Sequence, residues 1–168
     1  MKLVNLLKGL LLAASIPASH AEIISTLAIK DSTILRSTVS CADCPDRNCY
    51  ECTLGQKMTL EANTGGLAYI RMLIGFHVPV EPSRITQCTV RLGTFTSPLE
   101  YSVNVTVAQA VSSQWSEDTV TGQNAPDSGD PFNSIAVRPH TEIGSIDITQ
   151  ACKNAAGDGQ FSIYVGKS

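Results

Sequence analysis

The stretch AYIRMLIGFHV, residues 68–78, decides the fold. Leu73 and Ile74 stand side by side in an apolar run that Pro79 and Pro82 bring to an end. A strand wetted on one face alternates apolar with polar residues. A run apolar on both sides reads as a central strand covered twice. Working outward, ITQCTVRL (85–92) does alternate. Cys88, Val90 and Leu92 face one way; Gln87, Thr89 and Arg91 face the other. Residues 101–107 alternate more strictly, with Val103, Val105 and Val107 inward and Ser102, Asn104 and Thr106 outward. Residues 23–29, 32–35, 57–62, 143–148 and 161–165 supply further short strands. GQNAPDSGDPFN (122–133) reads as a turn-rich loop. A short helix is expected over 149–156, capped by Asp147 or Thr149 and stopped by Gly157-Asp158-Gly159. The sum is an all-β antiparallel sandwich in one domain, residues 22–168, with no internal repeat.

Composition narrows the class. The 168 residues are 43% apolar, enough for a core, which excludes a disordered chain. The twelve Gly and eight Pro are scattered, which excludes a collagen-like one. Net charge is −3 and no basic run exists, which argues against nucleic acid.

MKLVNLLKGLLLAASIPASHA (1–21) has Lys2 and Lys8 ahead of a short apolar stretch, then Ser19 and Ala21 at −3 and −1 of a cut before Glu22. That pattern is a secretory signal peptide, and its apolar run is too short to span a bilayer. Its removal leaves ten cations against fifteen acids, a net charge of −5. A cut after Ser19 would instead expose His20 as an N-terminal copper ligand. Pro17 would then occupy −3, against the small-residue rule.

Cys41, Cys44, Cys49 and Cys52 fall within twelve residues. Two Cys-x2-Cys pairs suit zinc when about 12–20 residues separate them. Here the spacer is four residues, and behind a signal peptide two disulfides clipping the loop fit better. Three pairings within the loop stay open. Cys88 and Cys152 remain as a long-range disulfide pair, with two buried thiols as the alternative.

CADCPDRNCYEC, YIRMLIGFHVP with ITQCTVRL, SVNVTV, WSEDTVTGQNAP and IDITQACKNAAGDGQFSIYVG follow one another in this chain. In that order and spacing the chain, from about 24 to 165, resembles the secreted fungal domains grouped with the DNRLRE proteins and carbohydrate-binding module family 96. The resemblance implies a jelly-roll sandwich and a non-catalytic carbohydrate-binding role, with alginate-like or other acidic polysaccharides as ligands of some members. Members continue past the YVG segment with a further strand or two. This chain stops at Ser168, so the expected sandwich lacks its last strand.

Tyr69, Arg71 and His77 share one face of the 68–78 strand, and Arg91 is outward on its own. On an exposed sheet face the two guanidiniums can grip carboxylates of an acidic glycan. The same residues also suit a plain solvated face, and the negative net charge opposes long-range attraction of a polyanion. Trp115, the single Trp, serves either as a packing residue or as a stacking platform for a sugar. Asn104-Val105-Thr106 is the one N-x-S/T sequon and marks Asn104 for glycosylation. Asp31, Asp118 and Asp158 are candidate oxygen donors for a structural calcium, without the spacing of a dedicated loop, and equally suit plain turn-forming residues. No nucleophile elbow, H-E-x-x-H or P-loop is present.

The reading is a secreted, non-catalytic carbohydrate-binding protein at a cell wall or extracellular polysaccharide. Its ligand-binding candidates are Tyr69, Arg71, Arg91 and Trp115. A secreted structural or effector-type interaction protein is the second reading, and a copper-dependent polysaccharide monooxygenase using His20 the third. N-terminal sequencing of the secreted protein is expected to start at Glu22; a start at His20 would revive the third.

Overall fold

A computed structural model describes residues 22–37, 40–63 and 69–167. The expected leader and His20 lie outside the described residues, as does the Cys41 side chain.

The centre is a five-stranded antiparallel sheet. Its strands are β1 (Lys30–Leu35), β4 (Ile70–His77), β9 (Gln160–Lys167), β6 (Val103–Ala110) and β7 (Ser128–Val137), in that spatial order. A two-stranded ribbon, β2 (Ser40–Cys41) with β3 (Cys44–Asn48), carries the Cys-rich loop. A second ribbon, β5 (Thr89–Val90) with β8 (Ile146–Asp147), leads into the helix α1 (Thr149–Lys153). The architecture is mostly β and antiparallel with one short helix, consistent with an all-β sandwich.

The reading of 68–78 explains the middle of this sheet. Ile74 pairs with Ile163 and Phe76 with Phe161, whose rings stack at 5.3 Å. All residues from Phe161 to Gly166 are buried, so β9 is covered on both sides. On one face Ile74, Val103, Val105, Val107, Val137, Ile163 and Val165 pack against Val90, Ile146, Ile148 and α1. On the other Ile34, Leu73, Ala110 and Tyr164 pack against Val120, Ala125 and Trp115, which come from the 111–127 loop. Each fully buried Leu or Ile contributes about 1.5–3 kcal/mol by leaving water. Chain approach is close enough that Gly122 tolerates no side chain. A Cβ there would fall 1.9 Å from the Leu35 carbonyl oxygen.

Several strands differ from the sequence expectation. Residues 22–28 form no strand, and Ile23, Ile24, Leu27 and Ile29 are exposed. Residues 57–62 are irregular, held by Lys57 pairing with Asp43 and Glu61 at 2.9 Å each. The 85–92 strand shrinks to Thr89–Val90, because only the two-residue β8 is there to pair with it. The 122–133 loop gives way to β7 from Ser128 onward. Pro131 is tolerated because β7 is an edge strand and the register slips beside its partner Ala108. The helix ends earlier than expected, and the Asp147 carboxylate accepts the Thr149 N–H at 2.8 Å at its start.

Cys44 is bonded to Cys52 and Cys88 to Cys152, and Cys49 is disulfide-bonded as well. None of the described cysteines is free. The Cys88–Cys152 bond ties the approach to β5 to α1. Around it Ile148 N–H donates to the Cys88 carbonyl at 2.9 Å, and Cys88 N–H donates to Thr149 Oγ1 at 2.9 Å. Its 64-residue separation makes it the large contributor to stability. Closing such a loop in the unfolded chain removes entropy worth about 4 kcal/mol. Replacing both residues (Cys88→Ser with Cys152→Ser) is expected to lower the unfolding free energy by about that amount in urea titrations followed by Trp fluorescence.

Candidate functional site

The four residues singled out from sequence do not converge. Arg71 is not outward, correcting the expectation: it is 2% exposed. Its guanidinium carbon lies 3.7 Å from the Tyr164 ring centroid, and Nη1 donates to Ser128 Oγ at 3.1 Å. Burial pushes the Arg71 pKa down and the Tyr164 pKa up. A planar cation stacked on an aromatic ring is one of the few ways to bury an arginine. Tyr69, two residues away on the same face, is exposed, and its hydroxyl donates to Ser37 Oγ at 3.0 Å.

Trp115 lies at the far end of that face. Its Nε1 donates to Ser162 Oγ at 3.0 Å, and Lys30 Nζ stands 4.7 Å from the ring centroid. Lys30 is held there by the carbonyl oxygens of Ser113 and Trp115. Trp115 packs the second core, and one ring face already carries a cation. Lys30 pairs with Gly75, so Trp115 is about six residues of strand, roughly 20 Å, from Tyr69. Arg91 is exposed beyond β5, in the layer over the other face.

The calcium candidates are also apart. Asp118 accepts Gln56 Nε2 at 2.8 Å, and Asp158 accepts the Gln160 N–H at 2.9 Å. Asp31 lies instead beside Glu117, whose carboxylate accepts its N–H. Among the described residues no three of His, Cys, Asp and Glu gather into a metal-binding group.

Two open pockets do form. One, about 270 Å³, is lined by Ser97, Pro98, Leu99, Glu100, Tyr101 and Lys167. Tyr101 is 57% exposed and Lys167 Nζ stands 5.3 Å from its ring centroid. Leu99 anchors the loop by packing on the first core, and Lys167 is placed by pairing with Val105. The pocket thus offers an aromatic surface, a cation and, in Glu100, a hydrogen-bond acceptor. The other pocket, about 300 Å³, lies on the clipped loop between Asp43, Pro45, Asp46, Arg47 and Thr53 and has no aromatic lining. Tyr101 and Lys167 were missed in the sequence because each lies at the end of a strand pattern. The legible signal was an aromatic residue just after the Ser97-Pro98 turn.

Residues 51–168 match carbohydrate-binding module family 96. The chain belongs to that family. It is also similar to an uncharacterized secreted protein of Arthroderma benhamiae, 56% identical over 153 residues, which covers 91% of this chain and 77% of that protein. The family 96 match takes in β4 to β9 and the whole Tyr101–Lys167 pocket. It leaves out β1 to β3 and, except for Thr53, the pocket on the clipped loop. The family description, a carbohydrate-binding module, thus covers the part of the chain that includes this aromatic pocket.

Asp31 gives a pH signature separate from any ligand. Burial first, and the Glu117 carboxylate second, raise its pKa above the usual value of 3.8. A carboxyl with a raised folded-state pKa favours folding while it is protonated and disfavours it once ionised. Stability from this group is complete below about pH 3.8 and is lost as pH rises through the folded-state pKa. Asp31→Asn is expected to raise the melting temperature at pH 7, with the gain vanishing by about pH 3, in paired thermal melts.

Proposed function

We propose that this protein is a secreted, non-catalytic carbohydrate-binding module whose ligand is a cell-wall or extracellular polysaccharide. The observation that carries the reading is the family 96 match over residues 51–168. The Tyr101–Lys167 pocket supplies its chemistry. The apolar C–H face of a pyranose packs on an aromatic ring, and Lys167 and Glu100 can donate to and accept from ring hydroxyls. Lys167 also suits a uronate carboxylate, which extends the reading to acidic polysaccharides. The pocket is open and small, so affinity per site is expected to be weak. Glycoside hydrolysis uses two carboxylates across one cleft, whereas Glu100 is the one carboxylate among these lining residues, which supports a binding role. The disulfides and the secreted relative support export. Arg91 is exposed and remains a candidate for a secondary contact; buried Arg71 does not.

One observation favours a second reading, a secreted interaction protein. Ile23 and Leu27, 92% and 86% exposed, form an apolar stretch with Ile24 and Ile29 just ahead of edge strand β1.

Retention on insoluble alginate, chitin, β-glucan and pectin separates the two. Binding to at least one is expected, and Tyr101→Ala should weaken it about two- to tenfold by removing the aromatic contact. No retention on any of the four overturns the carbohydrate reading and leaves the apolar stretch as the functional surface.

A further inference from the structure

We propose that Asn104 carries an N-linked oligosaccharide, and that this sugar covers the open end of the second sheet face around Tyr69.

Three independent observations meet at this position. Asn104-Val105-Thr106 is the acceptor triplet. In β6, Val103, Val105 and Val107 are buried in the first core, so Asn104 is turned to the second face, where it is exposed. The disulfides and the secreted relative put the chain on the route where such transfer occurs.

The surroundings accept a sugar. Asn104 pairs with Ala136, and Thr106 with Ser134 and Gly166, so small side chains floor this end of the face. Ala136 and Ser134 are exposed there, whereas the other end is covered by the 111–127 loop. One strand, β9, separates β4 from β6. Tyr69, just ahead of β4, therefore stands about 10 Å from Asn104 by two strand spacings. That is within reach of the first sugars of a branched oligosaccharide. Tyr101 is on the other side, because its neighbour Lys167 aligns with Val105 of the first face.

The covalent step is a transfer from a lipid pyrophosphate-linked oligosaccharide. The Asn104 amide nitrogen forms a bond to the anomeric carbon and gives up one proton. The bond from that carbon to the pyrophosphate oxygen breaks, and the lipid pyrophosphate leaves.

Thr106 has a structural role as well, since its hydroxyl lies 3.3 Å from Ser134 Oγ across the strands. The variants must therefore separate sequon from sheet. The full chain is secreted from a eukaryotic host as wild type, Asn104→Gln, Thr106→Ala and Thr106→Ser. Intact mass is measured before and after peptide-N-glycosidase, with the deamidation placed by peptide mapping in ¹⁸O water. An oligosaccharide mass on wild type and Thr106→Ser, lost in the other two and mapped to residue 104, is expected. Wild type at the bare polypeptide mass overturns the proposal. Hydroxyl-radical labelling then compares glycosylated wild type with Asn104→Gln. Tyr69 should label at least twofold more in Asn104→Gln while Tyr101 stays constant. Equal Tyr69 labelling overturns the covering role. Neither readout uses polysaccharide binding, so the outcome is independent of the ligand reading.

Discussion

The antiparallel pairing of β4 with β9 is the constraint from which the rest of the structure follows. Both strands are buried at Ile74, Ile163 and their neighbours, and both faces of β9 need cover along six residues. A sheet with both faces apolar cannot stop at one layer, since exposing either face would forfeit most of the driving force for folding. The chain has little regular structure left for that cover. Two residues of β5, two of β8 and five of α1 lie over the first face. Irregular chain from 111 to 127 lies over the second. Covers with so few ladder hydrogen bonds need other ties. The Cys88–Cys152 bond holds the first, and the Trp115–Ser162 hydrogen bond and the Lys30 contacts hold the second.

How much of this was legible depended on whether the signal was local. The mostly apolar runs at 68–78 and 161–165 are local, and both became central strands. The valines of β6 gave their inward face correctly for the same reason. Residues 23–29 carry strand-forming residues but pair with no strand. Their backbone tie to the sheet is the Ile29 N–H donating to the Gly75 carbonyl, and β-propensity is only realised against a neighbour. The reverse failure is β7, whose Gly129, Asp130 and Pro131 look like a turn but are held at a sheet edge by β6.

Arg71 shows where alternation misleads at the level of a site. Sharing a face with Tyr69 and His77 gives it an outward reading, yet the outcome was set by Tyr164, ninety-three positions later. No window of sequence around either residue contains that contact. Burying a guanidinium is costly unless its donors and its charge find partners. Here the Tyr164 ring, Ser128 and the nearby Arg36–Asp127 pair at 3.3 Å surround it. Arg71 therefore works as a clamp between β4 and β9 on the second face, the role that Phe76 and Phe161 play on the first.

This division of labour also says where a ligand surface can lie. Side chains on the middle of either face are committed to the core, and Trp115, the largest aromatic ring, has its indole N–H and one ring face engaged. What remains free is at the ends of strands, where burial stops and side chains no longer have a layer above them. Tyr101 precedes β6 by two residues and Lys167 ends β9. Lys167 is placed by its pairing with Val105, and Tyr101, 57% exposed, carries the Lys167 ammonium over its ring. On the proposed reading, a half-exposed aromatic beside a strand end suits a weak sugar site. The contact surface loses little entropy on binding, and displacing water from an apolar ring gains free energy.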